Sequence, residues 1–452
     1  MATSTITLES LATSHEPTPR TQSGTSSTEL NIRSEPAVEP DFATSAIPDG
    51  GYGWIVVLCG SITTFWINAL LNCWGVLQTA LLTSTMANVP ASTVSFVGSL
   101  CLACGVAFGL LATRMARSFG TRPTAMAGVT LISAGLVSAG FCTTNIPGMF
   151  VSIGVIAGVG MSLVYTITNL LPVQYFSGKI GLANGLVKLG GGIGGCVMAV
   201  ALQALVNRVG IAWTFRIQGL MTFAVGLPAA WFMKDRVPLR GTPFVDLSMF
   251  RNRTFTTIFA AAAIGTFTLF VPPFYLPLFA QTLGLSASTG AALVAAFNLC
   301  NAIGRFCSGP LCDRIGPINT FLGTMALNAF TMLAIWPISN KMAPLVVFAI
   351  FNGLANGSFF TTVPTVVASI FGPGRAAVAM SMSITGWTVG YLMGSPIAGY
   401  LLQAGGGNND ASRTTVAAFR PAIFYSGGIS LLSTLLVCAA RLGVKRRPFQ
   451  KV

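Results

Sequence analysis

Arg305 and Lys188 are the residues best placed to do chemistry, because each interrupts a long apolar run. A cation at membrane depth is costly unless partners, water or a ligand stabilise it. Asn298, Asn301 and Arg305 are spaced by three and four, so they share one helix face. On a cavity wall that face would present a guanidinium fork, which grips a carboxylate through two parallel hydrogen bonds. The bland alternative is that Arg305 reaches the nearer interface and serves a gate. Lys188, about two turns into its run, would attract an anion or extend its long stem to the interface. Uncharged polar residues complete a candidate substrate cavity: Asn68, Asn72, Tyr165, Asn169, Asn352 and Asn356, with Trp387 and Tyr391 able to stack on a ring. Each could instead make an interhelical hydrogen bond, worth about 0.6 kcal/mol on average.

The remaining titratable residues exclude more than they offer. His15, the only histidine, lies in a polar N-terminal stretch, so no Ser-His-Asp triad and no histidine-containing zinc site is available further on. After Asp49 the acids are Asp235, Asp246, Asp313 and Asp410, all at the ends of apolar runs or between them. No carboxylate is placed to relay protons. Any proton movement would need a ligand that carries its own proton, as a weak organic acid does and as is favoured here, or titration of Lys188; otherwise none is coupled. Gly190–Gly195 superficially resembles a dinucleotide loop, but that fingerprint needs a preceding strand. The pairs Gly190/Gly194, Gly191/Gly195 and Gly181/Gly185 have small-xxx-small spacing for close helix contact instead, as do Gly386, Gly390 and Gly394. The ten cysteines lie in apolar runs and read as small hydrophobes. No metal site and no cofactor is expected.

The elements that must carry these residues follow from composition. Of the 452 residues, 53% are hydrophobic and 8% charged, against roughly 25% charged in a soluble domain. Most of the surface must therefore face lipid. The net charge of +14 is not a nucleic-acid footprint, because the basic residues sit singly between apolar runs and form no stripe. A spanning helix needs about 20 apolar residues. Twelve runs qualify, at 53–79, 91–113, 123–142, 147–171, 181–206, 213–233, 255–279, 287–311, 318–338, 343–369, 375–402 and 421–441. Residues 1–48 are polar and read as a disordered cytoplasmic tail. Residues 49–233 and 255–441 read as two six-helix bundles, 234–254 as a cytoplasmic linker and 442–452 as a basic tail. With the N-terminus inside, eighteen of the 25 Lys and Arg face the cytoplasm and five face outward. That bias predicts both termini inside.

The halves repeat. Gly109-Leu-Leu-Ala-Thr-Arg114 and Gly309-Pro-Leu-Cys-Asp-Arg314 stand 200 residues apart, each at the end of the second helix of its half. The repeat partner of Arg305 is Gly105. Two parallel six-helix repeats are what a rocking transporter needs. Pro272-Pro273 should break the seventh helix, at a gate or hinge.

Gly309, Asp313, Arg314 and Gly316 resemble the loop signature of the major facilitator superfamily. That resemblance implies a gating role for Asp313 and Arg314, and for Arg114, although Thr113 stands where the first half would carry an Asp. Asp49-Gly50-Gly51-Tyr52-Gly53-Trp54 resembles the signature of the monocarboxylate porter family, and Tyr175-Phe176…Leu182-Ala183-Asn184-Gly185 resembles its second signature. The resemblance covers 49–441 and points to the fungal branch, whose members import vitamins or carboxylates or export secondary metabolites. Arg305 matches the helix-eight Arg of the animal carriers. Their helix-one Lys is missing here, and Asn301 stands where they carry an Asp.

The expectation is an all-α, twelve-helix transporter of the major facilitator fold, working as a monomer by alternating access in the plasma membrane. Its partners would be a small organic anion and the lipid bilayer, with no nucleic acid. Export of a secondary metabolite comes first and import of a monocarboxylate or vitamin second. A non-transporting membrane sensor is remote, because the C-terminal tail is short.

Overall fold

The computed structural model describes residues 50–176, 179–236, 246–371, 373–407 and 415–444. Residues 1–48, Asp49, most of the linker and residues 445–452 lie outside the described residues.

The first half of the chain contains α1 (Tyr52–Leu71), α2 (Trp74–Thr83), α3 (Ala91–Ala107), α4 (Gly109–Phe119), α5 (Thr121–Ala139), α6 (Ile146–Met149), α7 (Gly158–Tyr175) and α8 (Ile180–Trp231). The second contains α9 (Arg253–Leu269), α10 (Val271–Thr282), α11 (Ala287–Ile315), α12 (Pro317–Phe330), α13 (Met342–Phe371), α14 (Pro373–Gly386), α15 (Thr388–Ala404) and α16 (Arg420–Val444). A π-helical turn, Phe150–Ala157, joins α6 to α7, and another, Thr331–Ile335, extends α12. No strand occurs among the described residues.

Eight of these helical rods are long and apolar enough to cross a membrane, and nine if α3 and α4, bent by 49°, count as one. The 52-residue α8 is far longer than one crossing requires. It turns at Gly210, where φ 77° and ψ 167° break the helix, so it is two helices in succession. Gly316, with φ 93°, ends α11; this left-handed backbone is why the loop signature has glycine there.

Lipid-facing and inward faces separate by helical period. On α8, Leu182, Leu186, Leu189, Ile193, Val197 and Val200 are exposed at intervals of three and four. The opposite face carries Lys188 and the glycines. A Cβ on Gly190 or on Gly194 would stand 2.3 Å from the carbonyl oxygens of Ser61 and Phe65 respectively, so α1 and α8 touch backbone to backbone. Gly390 and Gly394 do the same for α15 against α9, where a Cβ would meet Thr266 Oγ1 at 2.0 Å and the Phe267 oxygen at 2.1 Å. Gly185 has nothing within 4 Å, so the expected Gly181/Gly185 contact is not made there.

The halves meet along three seams. In α8 against α11, Gly192 faces Ala302 and Gly195 faces Asn298. In α2 against α10, Gly75 faces Pro273. In α3 against α15, Ser92 faces Gly399.

Candidate functional site

Between the halves lies a cavity with about 840 Å³ of space between atoms, counting what opens to solvent. Thr64, Ile67, Asn68, Leu71 and Asn72 line it from α1 and its C-terminal break, Leu102, Gly105 and Val106 from α3, Met161 and Tyr165 from α7, and Lys188 from α8. The second half supplies Phe270, Arg305, Phe360, Thr361, Trp387 and Tyr391. Among the described residues, two cations and no carboxylate face this space.

Arg305 is held by a relay of amides. Asn356 Nδ2 donates to the Leu269 carbonyl at 2.6 Å, and Asn301 Nδ2 donates to Asn356 Oδ1 at 2.7 Å. Arg305 Nε then donates to Asn301 Oδ1 at 2.9 Å. The Phe360 ring lies 4.8 Å from the guanidinium carbon. The relay uses Nε alone, and the two terminal nitrogens have no hydrogen-bond partner among the described residues. They form the fork that fits a carboxylate. Lys188 Nζ donates to Asn169 Oδ1 at 2.7 Å and stands 4.4 Å from the centre of the Tyr165 ring. Both cations are thus steadied by neutral partners that leave their charge uncancelled.

The candidates therefore divide. Arg305, Lys188, Asn72, Tyr165, Asn68, Trp387 and Tyr391 line the cavity. Asn301, Asn356 and Asn169 stand behind it and position the cations. Asn298 is fully buried, and its Nδ2 donates to the Gly195 carbonyl at 3.1 Å in the α8–α11 seam. Asn352 is turned away, donating to Asn328 Oδ1 and Thr331 Oγ1 at 2.8 and 2.9 Å. Thr64, Ile67, Leu71, Leu102, Val106, Met161, Phe270, Phe360 and Thr361 were not anticipated. Some carry a spacing signal: Met161 and Phe360 fall four residues from Tyr165 and Asn356, and Phe270 precedes the expected break. Gly105, the repeat partner of Arg305, also lines the cavity; a Cβ there would meet only Met161, at 4.0 Å.

The seventh helix does break, at Phe270, and Pro272 and Pro273 open α10, where the lack of an N–H costs nothing. Both are buried, and the Pro273 carbonyl lies against Gly75 of α2. Arg114 is exposed midway along α4, and Asp313 and Arg314 are exposed at the C-terminal end of α11. The signature residues form a clasp away from the cavity. Tyr52 Oη donates to the Phe232 carbonyl at 2.8 Å, Tyr175 Oη donates to the Lys234 carbonyl at 2.9 Å, and the Trp54 ring meets Phe176 edge-on at 4.9 Å. A Cβ on Gly53 would stand 2.9 Å from Phe176 and Tyr175, so the two signature segments need each other to pack. Gly51, with φ 61°, sets the entry to α1, and Gly50 accepts from the Gly53 N–H at 3.2 Å.

Apolar helices packed around a polar cavity are the build of a membrane transporter. Residues 53–341 and 258–451 match the Major Facilitator Superfamily, and the chain belongs to it. It is 27% identical over 429 residues to the "Aspyridones efflux protein apdF" of Emericella nidulans, covering 94% of this chain and 86% of that one. It is 26% identical to "Monocarboxylate transporter 13" of Bos taurus over 379 residues, covering 82% and 88%. In fold it resembles the nucleoside transporter NupG, with a TM-score of 0.67 at 14% identity, covering 87% of this chain and 99% of that one.

Proposed function

We propose that this transporter moves a small organic anion with an apolar or aromatic body by alternating access, and that its role is efflux of a fungal secondary metabolite. The pairing of Lys188 with Arg305, one from each half and with no carboxylate on the same wall, carries this reading. An anion brings the charge that the cavity lacks, and Trp387, Tyr391, Phe270 and Phe360 offer its body an aromatic wall. Because the cations sit on different halves, a bound anion draws the halves together.

The accompanying topology is twelve spans with both ends in the cytoplasm, a six-helix bundle on each side of the linker, and a working monomer in the plasma membrane. Pro272 and Pro273 hinge one gate, and Arg114, Asp313 and Arg314 belong to the opposite one. The likeness to an efflux protein for aspyridones supports export; the likeness to a monocarboxylate transporter supports the carboxylate and keeps import of a monocarboxylate or vitamin as the second reading. Metabolite profiling of cells and medium, in a deletion strain and its parent, decides between them. A compound retained by the mutant cells and depleted from their medium marks export. A medium compound left unconsumed marks import, and an unchanged profile counts against both.

A further inference from the structure

At the end of the cavity away from Tyr52 the halves close on one another through glycines. A Cβ on Gly75 would stand 2.0 Å from the Pro273 carbonyl oxygen, and one on Gly399 would stand 2.2 Å from the Tyr275 hydroxyl. Inside this closure lies a group of polar side chains that the central site does not use. Gln78, Ser95 and Ser99 are each 0% exposed. Among the described residues Ser99 Oγ, Trp74 Nε1 and Thr79 Oγ1 have no hydrogen-bond partner, and Ser95 and Gln78 have only a side-chain interaction with the Tyr275 hydroxyl. The Tyr275 hydroxyl faces Ser95 and Gln78 but donates to the Ser395 carbonyl at 3.0 Å. A buried polar group without a partner is expensive, most of all in hydrocarbon. Six atoms between residues 74 and 99 that have no partner or rely on the Tyr275 hydroxyl alone describe a surface better satisfied in another state.

That surface continues the cavity wall. On α3, Val106 and Leu102 line the cavity, and Ser99 and Ser95 follow them on the same face at helical spacing. On α15, Tyr391 lines the cavity and Ser395 follows one turn on. From Leu102 to Ser95 is about 10 Å along the helix.

We propose that Gln78, Ser95, Ser99 and Tyr275 form a second substrate subsite, assembled when α2 parts from α10 and α3 from α15, which takes the carboxylate after it leaves Arg305 and Lys188. The ligand class rests on the organic-anion reading above. The chemistry differs from the central site in a useful way. Hydroxyl and amide donors hold a carboxylate without a counter-charge, so they hold it more weakly than a guanidinium does. Capture is then charged and release is neutral. When the seam opens, water and the anion satisfy the groups that closure leaves poorly partnered.

The test uses full-length protein in proteoliposomes. Gln78→Cys and Ser95→Cys are treated with the anionic reagent methanethiosulfonate ethylsulfonate, with wild type correcting for the native cysteines. Labelling is compared with and without Gly75→Val, whose side chain cannot fit against Pro273 and holds the seam apart. A rise of at least tenfold with Gly75→Val is expected. No rise at either position, in protein that stays folded and inserted, overturns the proposal. If Gly75→Val does not fold, Gln78→Leu and Ser95→Ala decide instead. Benzoate counterflow should fall at least fivefold, while benzoate affinity, read from tryptophan fluorescence, stays within twofold. Unchanged counterflow overturns the subsite. Failure of benzoate to bind wild type strikes the organic-anion reading alone, because the labelling result involves no substrate.

Discussion

The central cavity and the closed end beyond it are both polar, yet they are built on opposite terms. In the cavity each cation has a neutral partner fixed behind it, Asn301 for Arg305 and Asn169 for Lys188. At the closed end the polar groups are neutral; among the described residues Ser99 has no partner, and Gln78 and Ser95 have only the Tyr275 hydroxyl. The first region is preorganised: its groups are already oriented and lack only an opposite charge. The second is frustrated: its groups are buried by closure and gain partners by opening. A transporter needs both, because a site satisfied in every state would hold its substrate and a seam satisfied when closed would not reopen.

The strongest way to break this contrast is Arg305→Ala. Removing one partner of a charged pair costs about 2–5 kcal/mol, so transport of an anion should fall at least roughly thirtyfold with membrane insertion unchanged, read as initial flux in proteoliposomes. Lys188→Met should cost less, about tenfold in apparent affinity, since Lys188 offers a point charge and no planar fork. Asn301→Leu keeps both cations but loosens Arg305. With about 1 kcal/mol for one lost hydrogen bond, affinity should weaken around fivefold. Asn298→Leu should leave affinity within twofold, because Asn298 lies in the α8–α11 seam; a loss equal to that of Asn301→Leu would put it in the site after all.

Much of the fold was legible because its causes are local. Apolar length marks spans, and the 200-residue offset between Gly109–Arg114 and Gly309–Arg314 marks the repeat. The breaks were legible where their chemistry is explicit, at Pro272-Pro273. The proposed site rests on its charges, since a cation in an apolar run announces itself. What remained hidden is which way a helix is turned. Asn298 and Asn301 share a face by spacing, yet one meets the Gly195 carbonyl and the other Arg305. Asn352 and Asn356, four apart on α13, likewise serve different neighbours. Helical period fixes positions relative to each other; tertiary packing fixes which of them meets the cavity. The closed-end cluster was hidden for a further reason. A serine or glutamine in an apolar run is ordinary, and only its poor partnering in the folded state sets it apart.

The most direct measurement is flux of one aromatic carboxylate and its neutral amide analogue through wild-type and Arg305→Ala protein in proteoliposomes. Wild type should carry the carboxylate at least tenfold faster than the amide, and Arg305→Ala should abolish that preference by losing the carboxylate. Equal flux of the two compounds through wild type, insensitive to Arg305, would contradict a cavity built for an anion.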